Sequence, residues 1–191
     1  MAKALVALHY QNDICHREGR IPFAMDYATD APQRFLSLSS QMLEHARAAG
    51  WNIIHVHIAF ATDYADLPRN CRLFQAVERL GAVQRGSWGA AAMEGFTPAT
   101  ADIALVHRCN NAFEGTGLAD ILSTRGITHI AVMGLATQFS VEHTVRHAAD
   151  LGLYVTVVSD CCASADPDAH AAALKTMAML AEVAPLDKIV F

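Results

Sequence analysis

Basic clusters, long apolar runs and metal-type cysteine pairs are all missing from this sequence. The 14 Lys and Arg residues are outnumbered by 19 Asp and Glu, and the formal net charge of −5 argues against binding to nucleic acid or to an anionic membrane. No apolar run approaches the ~18 residues that a membrane-spanning helix needs. Residues 1–10 run directly into a predicted strand and lack the features of a signal peptide. These absences predict a cytoplasmic protein that has neither nucleic acid nor a membrane as a partner.

The five cysteines are odd in number and have no C-x-x-C spacing. Zinc sites commonly use that spacing, so its absence gives no sign of a structural metal. In a reducing compartment the cysteines are expected to be free thiols. We predict neither a metal nor another cofactor. The cysteines are Cys15, Cys71, Cys109, Cys161 and Cys162.

Apolar residues, in contrast, are abundant and make up 53% of the 191 residues. A chain of this length and composition can bury a core and suits one domain, so disorder is excluded as a description of the whole. The sequence has no internal repeat, low-complexity linker or shift in composition that would mark a second domain. We therefore predict a single domain over residues 1–191.

Short apolar runs alternate with helical patterns along the chain. The predicted strands are Ala4–Leu8, Trp51–Ile58, Ile103–Val106, Ile130–Met133, Tyr154–Val158 and Ile189–Phe191. The predicted helices begin near Asp30, Leu73, Leu118, Phe139 and Pro167, and the last one runs to Val183. Continuous apolar strands separated by helices are typical of a parallel sheet that is covered on both faces. The pattern predicts an α/β fold, a three-layer α/β/α sandwich with a mainly parallel, Rossmann-like sheet.

Three predicted strands are followed by side chains that can act as a base, an acid or a nucleophile. His9 follows the first strand, His107 follows the third, and Ser140 lies where the helix after Ile130–Met133 begins. Because the carboxyl ends of parallel strands meet at one edge of a sheet, these side chains are expected to lie close together. A serine beside a histidine is a candidate nucleophile with the imidazole as its base. Polar residues also occur at strand ends simply because the chain leaves the core there.

The motifs around these residues are more specific when they are taken together. ALVALHYQND contains the first strand, AFEGTGL occupies Ala112–Leu118, and GLAT occupies Gly134–Thr137 before the helical VEHTVRHAADLG. With these motifs the chain resembles the isochorismatase-like hydrolases, also called the cysteine hydrolase superfamily, over nearly its whole length. The resemblance implies a six-stranded parallel sheet, hydrolysis of a small-molecule substrate, and assembly into homodimers or larger homo-oligomers.

The residues at the family's catalytic positions differ in this chain. The resemblance implies an Asp after the first strand, a Lys after the third and a Cys at the start of the helix after GLAT; here these positions are His9, His107 and Ser140. It also implies an oxyanion site made of the backbone N–H groups of Ala136 and Ser140, which side-chain changes do not remove. A non-proline cis peptide bond often accompanies the motif, and we expect it at Ala136–Thr137.

Three interpretations of the substituted site stay open. A Ser140 nucleophile with His9 or His107 as base would hydrolyse an amide or ester, and hydrolysis of a C–N bond in a small amide is the favoured prediction. The isochorismatases of the family lack the Cys and cleave a vinyl ether, so a protonated His9 would be the acid in a reaction of that type. In the third interpretation the protein binds a ligand with little or no turnover, because a fold alone does not determine function.

Six further residues are predicted to contact the substrate. Gln11 and Asn110 are candidates for orienting it, although polar side chains in loops also cap turns. Aromatic residues in loops near the predicted mouth would form an apolar wall for a flat substrate, and Trp88 would alternatively serve an oligomer contact. These aromatic residues are Phe60, Tyr64, Trp88 and Phe113.

Two histidine pairs have spacings that a metal ion can use, but the residues around them do not support a metal. His55 and His57 share one face of a strand, and the related nicotinamidases bind a metal in this region through an Asp-x-His motif that this chain lacks. His143 and His147 are four residues apart on a helix, without the glutamate that the zinc-protease pattern places between them. Surface or interface histidines are the favoured interpretation of that pair.

Overall fold

Six parallel strands form one sheet in the computed structural model, which describes residues 2–21, 25 and 27–191. The strands are β1 (Ala2–Leu8), β2 (Asn52–Ile58), β3 (Ile103–His107), β4 (Ile127–Leu135), β5 (Tyr154–Ala163) and β6 (Glu182–Ala184). They lie in the order β3-β2-β1-β4-β5-β6, and every neighbouring pair is parallel. The predicted parallel sheet is confirmed. Gly19 and Pro22 predict a loop after the first strand; Pro22 lies outside the described residues.

Helices cover both faces of this sheet. They are α1 (Asn12–Cys15), α2 (Ala31–Ala48), α3 (Arg72–Arg79), α4 (Leu118–Thr124), α5 (Glu142–Asp150) and α6 (Pro167–Met177), with a π-helical turn at Thr137–Val141 and a 3₁₀ turn at Leu186–Lys188. Phe35 of α2 and Phe74 of α3 pack in the core on one face. Leu122 of α4 and Val145 of α5 pack in the core on the other face, which confirms the three-layer sandwich. Across the described residues, no helix is long and apolar enough to cross a lipid bilayer.

The last part of the chain differs from the prediction. The final strand is Glu182–Ala184, which pairs with β5, whereas the strand predicted at Ile189–Phe191 lies outside the sheet. α6 ends at Met177 and does not reach Val183. An alanine-rich apolar stretch does not distinguish the end of a helix from a short strand, so periodicity extended the predicted helix too far.

The carboxyl ends of β1 and β4 approach each other closely at Gly134. This residue pairs with Leu8, and a Cβ atom in its place would clash with the Leu8 carbonyl oxygen. Its φ of 131° is also in a region that glycine alone adopts readily. The close approach brings His9, the first residue after β1, next to the segment that follows β4.

Candidate active site

His9 and His107 are hydrogen-bonded to each other. His9 follows β1 and His107 ends β3, so the two imidazoles meet across the end of β2, which lies between these strands. Their Nε2 atoms are 2.6 Å apart, and the residues are only 4% and 2% exposed. His9 has a φ of 63°, a left-handed conformation that is uncommon outside glycine. Two of the three predicted catalytic side chains are therefore in direct contact.

The hydrogen bonds of this pair define where its protons lie. The Asn111 carbonyl oxygen is 3.1 Å from His107 Nδ1, and because a carbonyl can only accept, Nδ1 carries a proton. In a neutral His107, Nε2 then accepts the hydrogen bond that His9 Nε2–H donates. His9 is also hydrogen-bonded to the backbone of Leu135. The two imidazoles are therefore linked to each other and, at Asn111 and Leu135, to the backbone.

Burial holds both imidazoles in the neutral form. It lowers the pKa of His9 well below the ordinary value, and the nearby His107 and His57 lower that pKa further. A backbone hydrogen bond with Leu135 acts in the opposite direction. Burial also lowers the pKa of His107 to about 4, against an opposing contribution from its bond to Asn111. At neutral pH the pair is available as a base and does not supply an acidic proton.

Ser140 lines a small cavity together with His9. It lies in the π-helical turn that precedes α5 and is 3% exposed. In the described part of the chain the cavity has a volume of about 50 Å³, and its walls are apolar apart from His9, Asn110 and Ser140. No hydrogen bond joins the Ser140 hydroxyl to either imidazole among these described residues. The structure therefore places the serine beside the pair without a direct serine–histidine bond.

Ala136, the other residue predicted to supply an oxyanion N–H, lines the same cavity. A non-proline cis peptide bond is present at Leu135–Ala136, so its expected place at Ala136–Thr137 is wrong by one residue. The Ala136 carbonyl accepts a hydrogen bond from the Phe139 N–H at 3.0 Å, in the turn that carries Ser140. The oxyanion role of the two N–H groups stays a prediction.

The side chain of Gln11 is hydrogen-bonded to backbone groups. Its Nε2 donates to the carbonyl oxygens of Ile58 at 2.9 Å and Ala90 at 2.8 Å, and its Oε1 accepts from the Ile58 N–H at 2.7 Å. The residue is 0% exposed. Gln11 therefore joins the end of β2 to the loop around Ala90, and it has no free N–H with which to make the predicted substrate contact.

The four aromatic residues predicted to wall a substrate pocket do not line the small cavity. Phe60 and Tyr64 are buried in the core on the α2 and α3 side of the sheet, and Phe113 is buried on the opposite side. Trp88 is 53% exposed. The loops lie against the sheet, so most of their rings are core residues; the position of a ring in a loop does not show which way it points. Of the six predicted substrate contacts, Asn110 lines the cavity.

Asn111, which the sequence did not single out, links the loop after β3 to α5. Its Oδ1 accepts from the Phe113 N–H at 3.0 Å, so its Nδ2 points to His147 and donates to Nδ1 of that ring at 2.7 Å. Helix α5 therefore begins beside Ser140 and, further along, holds the loop whose carbonyl orients His107. The two linked residues are 36 positions apart, and no local sequence pattern indicates such a bond.

A second and much larger cavity also borders His107, with a volume of about 820 Å³. His57 from β2 and Arg108 from the segment after β3 contribute to its lining, together with Asp66 and Arg85 from loops. These residues are spread over more than 50 positions of the sequence, and only the fold brings them together.

The described residues contain no group of three or more His, Cys, Asp or Glu side chains arranged to hold a metal ion. His143 Nδ1 donates to the Phe139 carbonyl at 2.8 Å, and His147 Nδ1 accepts from a side-chain amide, so this pair has other partners. His55 Nε2 is 3.1 Å from Asp102. The absence of a metal in the working protein stays a prediction.

The fold and the buried histidine pair define an α/β protein whose reactive side chains, His9, His107 and Ser140, lie at the carboxyl ends of its parallel strands. The sequence profile of the Isochorismatase domain matches residues 3–188. The chain therefore belongs to the isochorismatase family of hydrolases, and the recognition from its motifs is confirmed.

Relatives of this chain include both named amidohydrolases and a protein described as inactive. The uncharacterized isochorismatase family protein YecD of Escherichia coli O157:H7 is 29% identical over 154 residues, which are 81% of this chain and 79% of YecD. Ureidoacrylate amidohydrolase RutB of Caulobacter vibrioides is 29% identical over 139 residues, which are 66% of this chain and 62% of RutB. The chain thus matches less than two thirds of the length of that amidohydrolase. A "Probable inactive nicotinamidase" of Arabidopsis thaliana is 28% identical over 180 residues, covering 91% of this chain and 87% of the relative.

Solved structures share the fold over nearly the whole chain. An isochorismatase family protein from Desulfovibrio vulgaris has a TM-score of 0.86 and 26% identity, covering 97% of this chain and 95% of its own. The nicotinamidase/pyrazinamidase PncA from Bacillus subtilis has a TM-score of 0.81 and 21% identity, covering 96% and 100%, and at this identity it shows the fold alone. The homo-oligomeric assembly and cytoplasmic location expected from the sequence stay predictions.

Proposed function

We propose that this protein hydrolyses a C–N bond in a small amide, with Ser140 as the nucleophile and His9 as the base. The observation that carries the proposal is that the buried residues Ser140 and His9 line the same cavity at the carboxyl ends of β4 and β1. Membership of the isochorismatase family and the similarity to an amidohydrolase support the same class of reaction.

In the proposed reaction, Ser140 Oγ attacks the amide carbonyl carbon while His9 takes the hydroxyl proton. The C–N bond then breaks, and the departing amine receives that proton from His9. A water molecule, deprotonated in the same way, hydrolyses the acyl ester and frees the serine. The backbone N–H groups of Ala136 and Ser140 would hold the negative oxygen that forms in each addition step.

His107 is proposed to position His9. Its Nε2 is hydrogen-bonded to His9 Nε2 at 2.6 Å, and its own Nδ1 proton is held by the Asn111 carbonyl. The lowered pKa of His9 favours a base over an acid at neutral pH, so it supports amide hydrolysis over the vinyl-ether reaction in which His9 would have to donate a proton.

The size of the small cavity favours a second candidate, which is a member of the fold with little or no turnover. Its volume of about 50 Å³ is far below the ~300–1,000 Å³ of typical small-molecule sites, so it accepts a reacting group rather than a whole substrate. The lack of a direct bond between Ser140 and an imidazole points the same way. A relative that carries the word inactive in its name is consistent with this candidate.

Ammonia release from a panel of small primary amides and ureido compounds tests the proposal. The wild type is compared with Ser140→Ala and with Ser37→Ala, a matched change at an exposed position on α2. Release that is lost in Ser140→Ala and kept in Ser37→Ala supports the hydrolase. Release that survives in Ser140→Ala contradicts the assigned nucleophile, and no release from the wild type favours the candidate with little or no turnover.

A further inference from the structure

The larger cavity, which we call the arginine cavity, has the size and position of a ligand site. Its volume of about 820 Å³ lies within the range of small-molecule pockets. It opens at the carboxyl ends of β2 and β3, the edge of a parallel sheet where ligands bind. The lining combines apolar surface with charged side chains, among them Ala59, Asp66, Pro68, Arg85, Val106 and Arg108.

One imidazole in the lining has a nitrogen without a partner. His57 Nε2 is buried and makes no hydrogen bond among the described residues. Buried polar atoms in folded proteins are nearly always paired, so this nitrogen is an exception. Burial, with smaller contributions from His55 and His107, lowers the pKa of His57 to about 4. The ring is therefore neutral at pH 7 and adds no charge to the lining.

Two guanidinium groups face the cavity and share a single carboxylate. Arg85 Nη2 is 3.1 Å and Arg108 Nη1 is 3.7 Å from the same oxygen, Asp66 Oδ2. The other oxygen, Oδ1, accepts from the Ala61 N–H at 2.7 Å. Burial opposes ionisation of Asp66, but that N–H and the two arginines together lower its pKa, so the carboxylate is charged. Asp66 offsets one of the two guanidinium charges, and Glu114, the other acidic residue of the lining, offsets the second.

We propose that the arginine cavity binds a small organic monocarboxylate. The ligand carboxylate would bridge Arg85 and Arg108 beside Asp66, because guanidinium groups bind planar carboxylates in paired hydrogen bonds. The body of the ligand would lie on the apolar lining, beside the neutral His57 ring. Because Asp66 and Glu114 already offset the two guanidinium charges, a singly charged planar carboxylate suits the site better than a phosphate dianion.

This site does not depend on the proposed hydrolase chemistry. Ser140 and His9 line the small cavity, whereas Arg85, Arg108 and His57 line the large one. Binding can be measured without turnover, so Ser140→Ala is expected to bind the carboxylate as tightly as the wild type does.

Fluorine NMR with 4-fluorobenzoate and trifluoroacetate as probes tests the proposal, with uncharged 4-fluorobenzamide for comparison. We expect the two carboxylates, and not the amide, to broaden on adding wild-type protein. Arg85→Gln and Arg108→Gln should each weaken binding at least about tenfold, because each removes a charge-assisted contact. Arg79→Gln, a matched change of an exposed arginine on α3, should bind as the wild type does.

Three outcomes would overturn the proposal. They are no broadening of either carboxylate by the wild type, equal broadening by the two arginine variants and the wild type, and equal binding of 4-fluorobenzamide and 4-fluorobenzoate. A thermal melt of each variant shows whether it is folded. If Arg85→Gln does not fold, Arg108→Gln decides alone, since the Arg108 contact with Asp66 is the longer of the two.

Discussion

The two cavities beside the histidine pair, one lined by His9 and the other by His107, differ in size and in polarity. The one that contains His9 and Ser140 measures about 50 Å³ and is mainly apolar, whereas the arginine cavity measures about 820 Å³ and is lined by charged groups. Reaction chemistry benefits from a dry site with few polar atoms, because each hydrogen bond and charge acts more strongly there. Recognition of a polar molecule benefits from a roomy site with charges at its mouth. The difference indicates that reactive groups and ligand-sized space are separated in this molecule.

Replacing the serine is the largest expected change in the small cavity. If Ser140 is the nucleophile, Ser140→Ala should lower kcat/KM for an amide by at least about a thousandfold, since the chemistry loses the atom that forms the covalent bond. Steady-state kinetics on the best amide of a panel measures this loss. A reduction of less than tenfold in a folded variant would assign the reaction to another group.

Removing the Gln11 side-chain hydrogen bonds, which join the end of β2 to the loop around Ala90, should have a large effect on stability. Gln11→Leu leaves the Ile58 N–H, the Ile58 carbonyl and the Ala90 carbonyl without their side-chain partner. Buried groups left unpaired cost roughly 1–3 kcal/mol each, so we expect the free energy of unfolding to fall by about 3 kcal/mol or more. Urea titration measures it, with Gln41→Leu on the exposed side of α2 as control. Equal urea midpoints for the two variants would show that the Gln11 hydrogen bonds do not stabilise the fold.

Acidification should destabilise the fold through the buried imidazoles. Burial depresses the pKa of His107 and of His57 to about 4 from the ordinary value near 6.5. Above pH 6.5 these imidazoles are neutral in both the folded and the unfolded chain. Between pH 6.5 and pH 4 the imidazoles of the unfolded chain bind protons, whereas those of the folded chain stay neutral. As the pH is lowered through that window, the free energy of unfolding should therefore decrease, by an amount on the order of 2–3 kcal/mol for His107. Below the window these groups should cause no further decrease.

Urea midpoints measured from pH 8 to pH 4 check this trend. The variant His57→Phe should flatten the slope, while His143→Gln, a change at an exposed residue, should leave it unchanged. A slope that is the same in all three proteins would show that buried histidines do not cause the acid sensitivity.

The smallest predicted effect concerns the link from α5 to the pair. His147→Phe keeps a ring against Phe113 but removes the acceptor for Asn111 Nδ2. We expect a loss of about 1 kcal/mol in stability and a partial change in the ¹⁵N shifts of His107, whose Nδ1 proton is held by the Asn111 carbonyl. NMR of ¹⁵N-histidine-labelled protein measures both imidazole nitrogens. Unchanged His107 shifts would mean that backbone contacts alone orient this loop.

The sheet was predictable because its strands are continuous apolar runs, and the convergence of parallel strand ends indicated that His9 and His107 would lie close together. The direct contact between the two imidazoles was not predictable. It depends on the left-handed backbone of His9 and on a register in which Leu8 pairs with Val56 on one side of β2 and His107 pairs with Ile58 on the other. Sequence spacing carries no information on either.

The lining of the pockets was the least predictable part. Gln11 has the residue type of a substrate contact, yet its amide binds backbone groups that lie 47 and 79 positions away. Phe60 and Tyr64 occur in loop segments but are buried in the core. The arginine cavity is formed by Arg85, Arg108 and other residues whose side chains meet only in the folded chain.

Covalent labelling of Ser140 by a fluorophosphonate tests the central claim most directly. In that reaction Ser140 Oγ displaces fluoride from phosphorus while His9 takes the proton, so labelling needs an activated serine but no knowledge of the substrate. We predict one adduct per chain by intact mass, located at Ser140 by peptide mapping, absent in Ser140→Ala and much slower in His9→Gln. No adduct at Ser140, or equal labelling of wild type and His9→Gln, would contradict a serine nucleophile activated by the histidine pair.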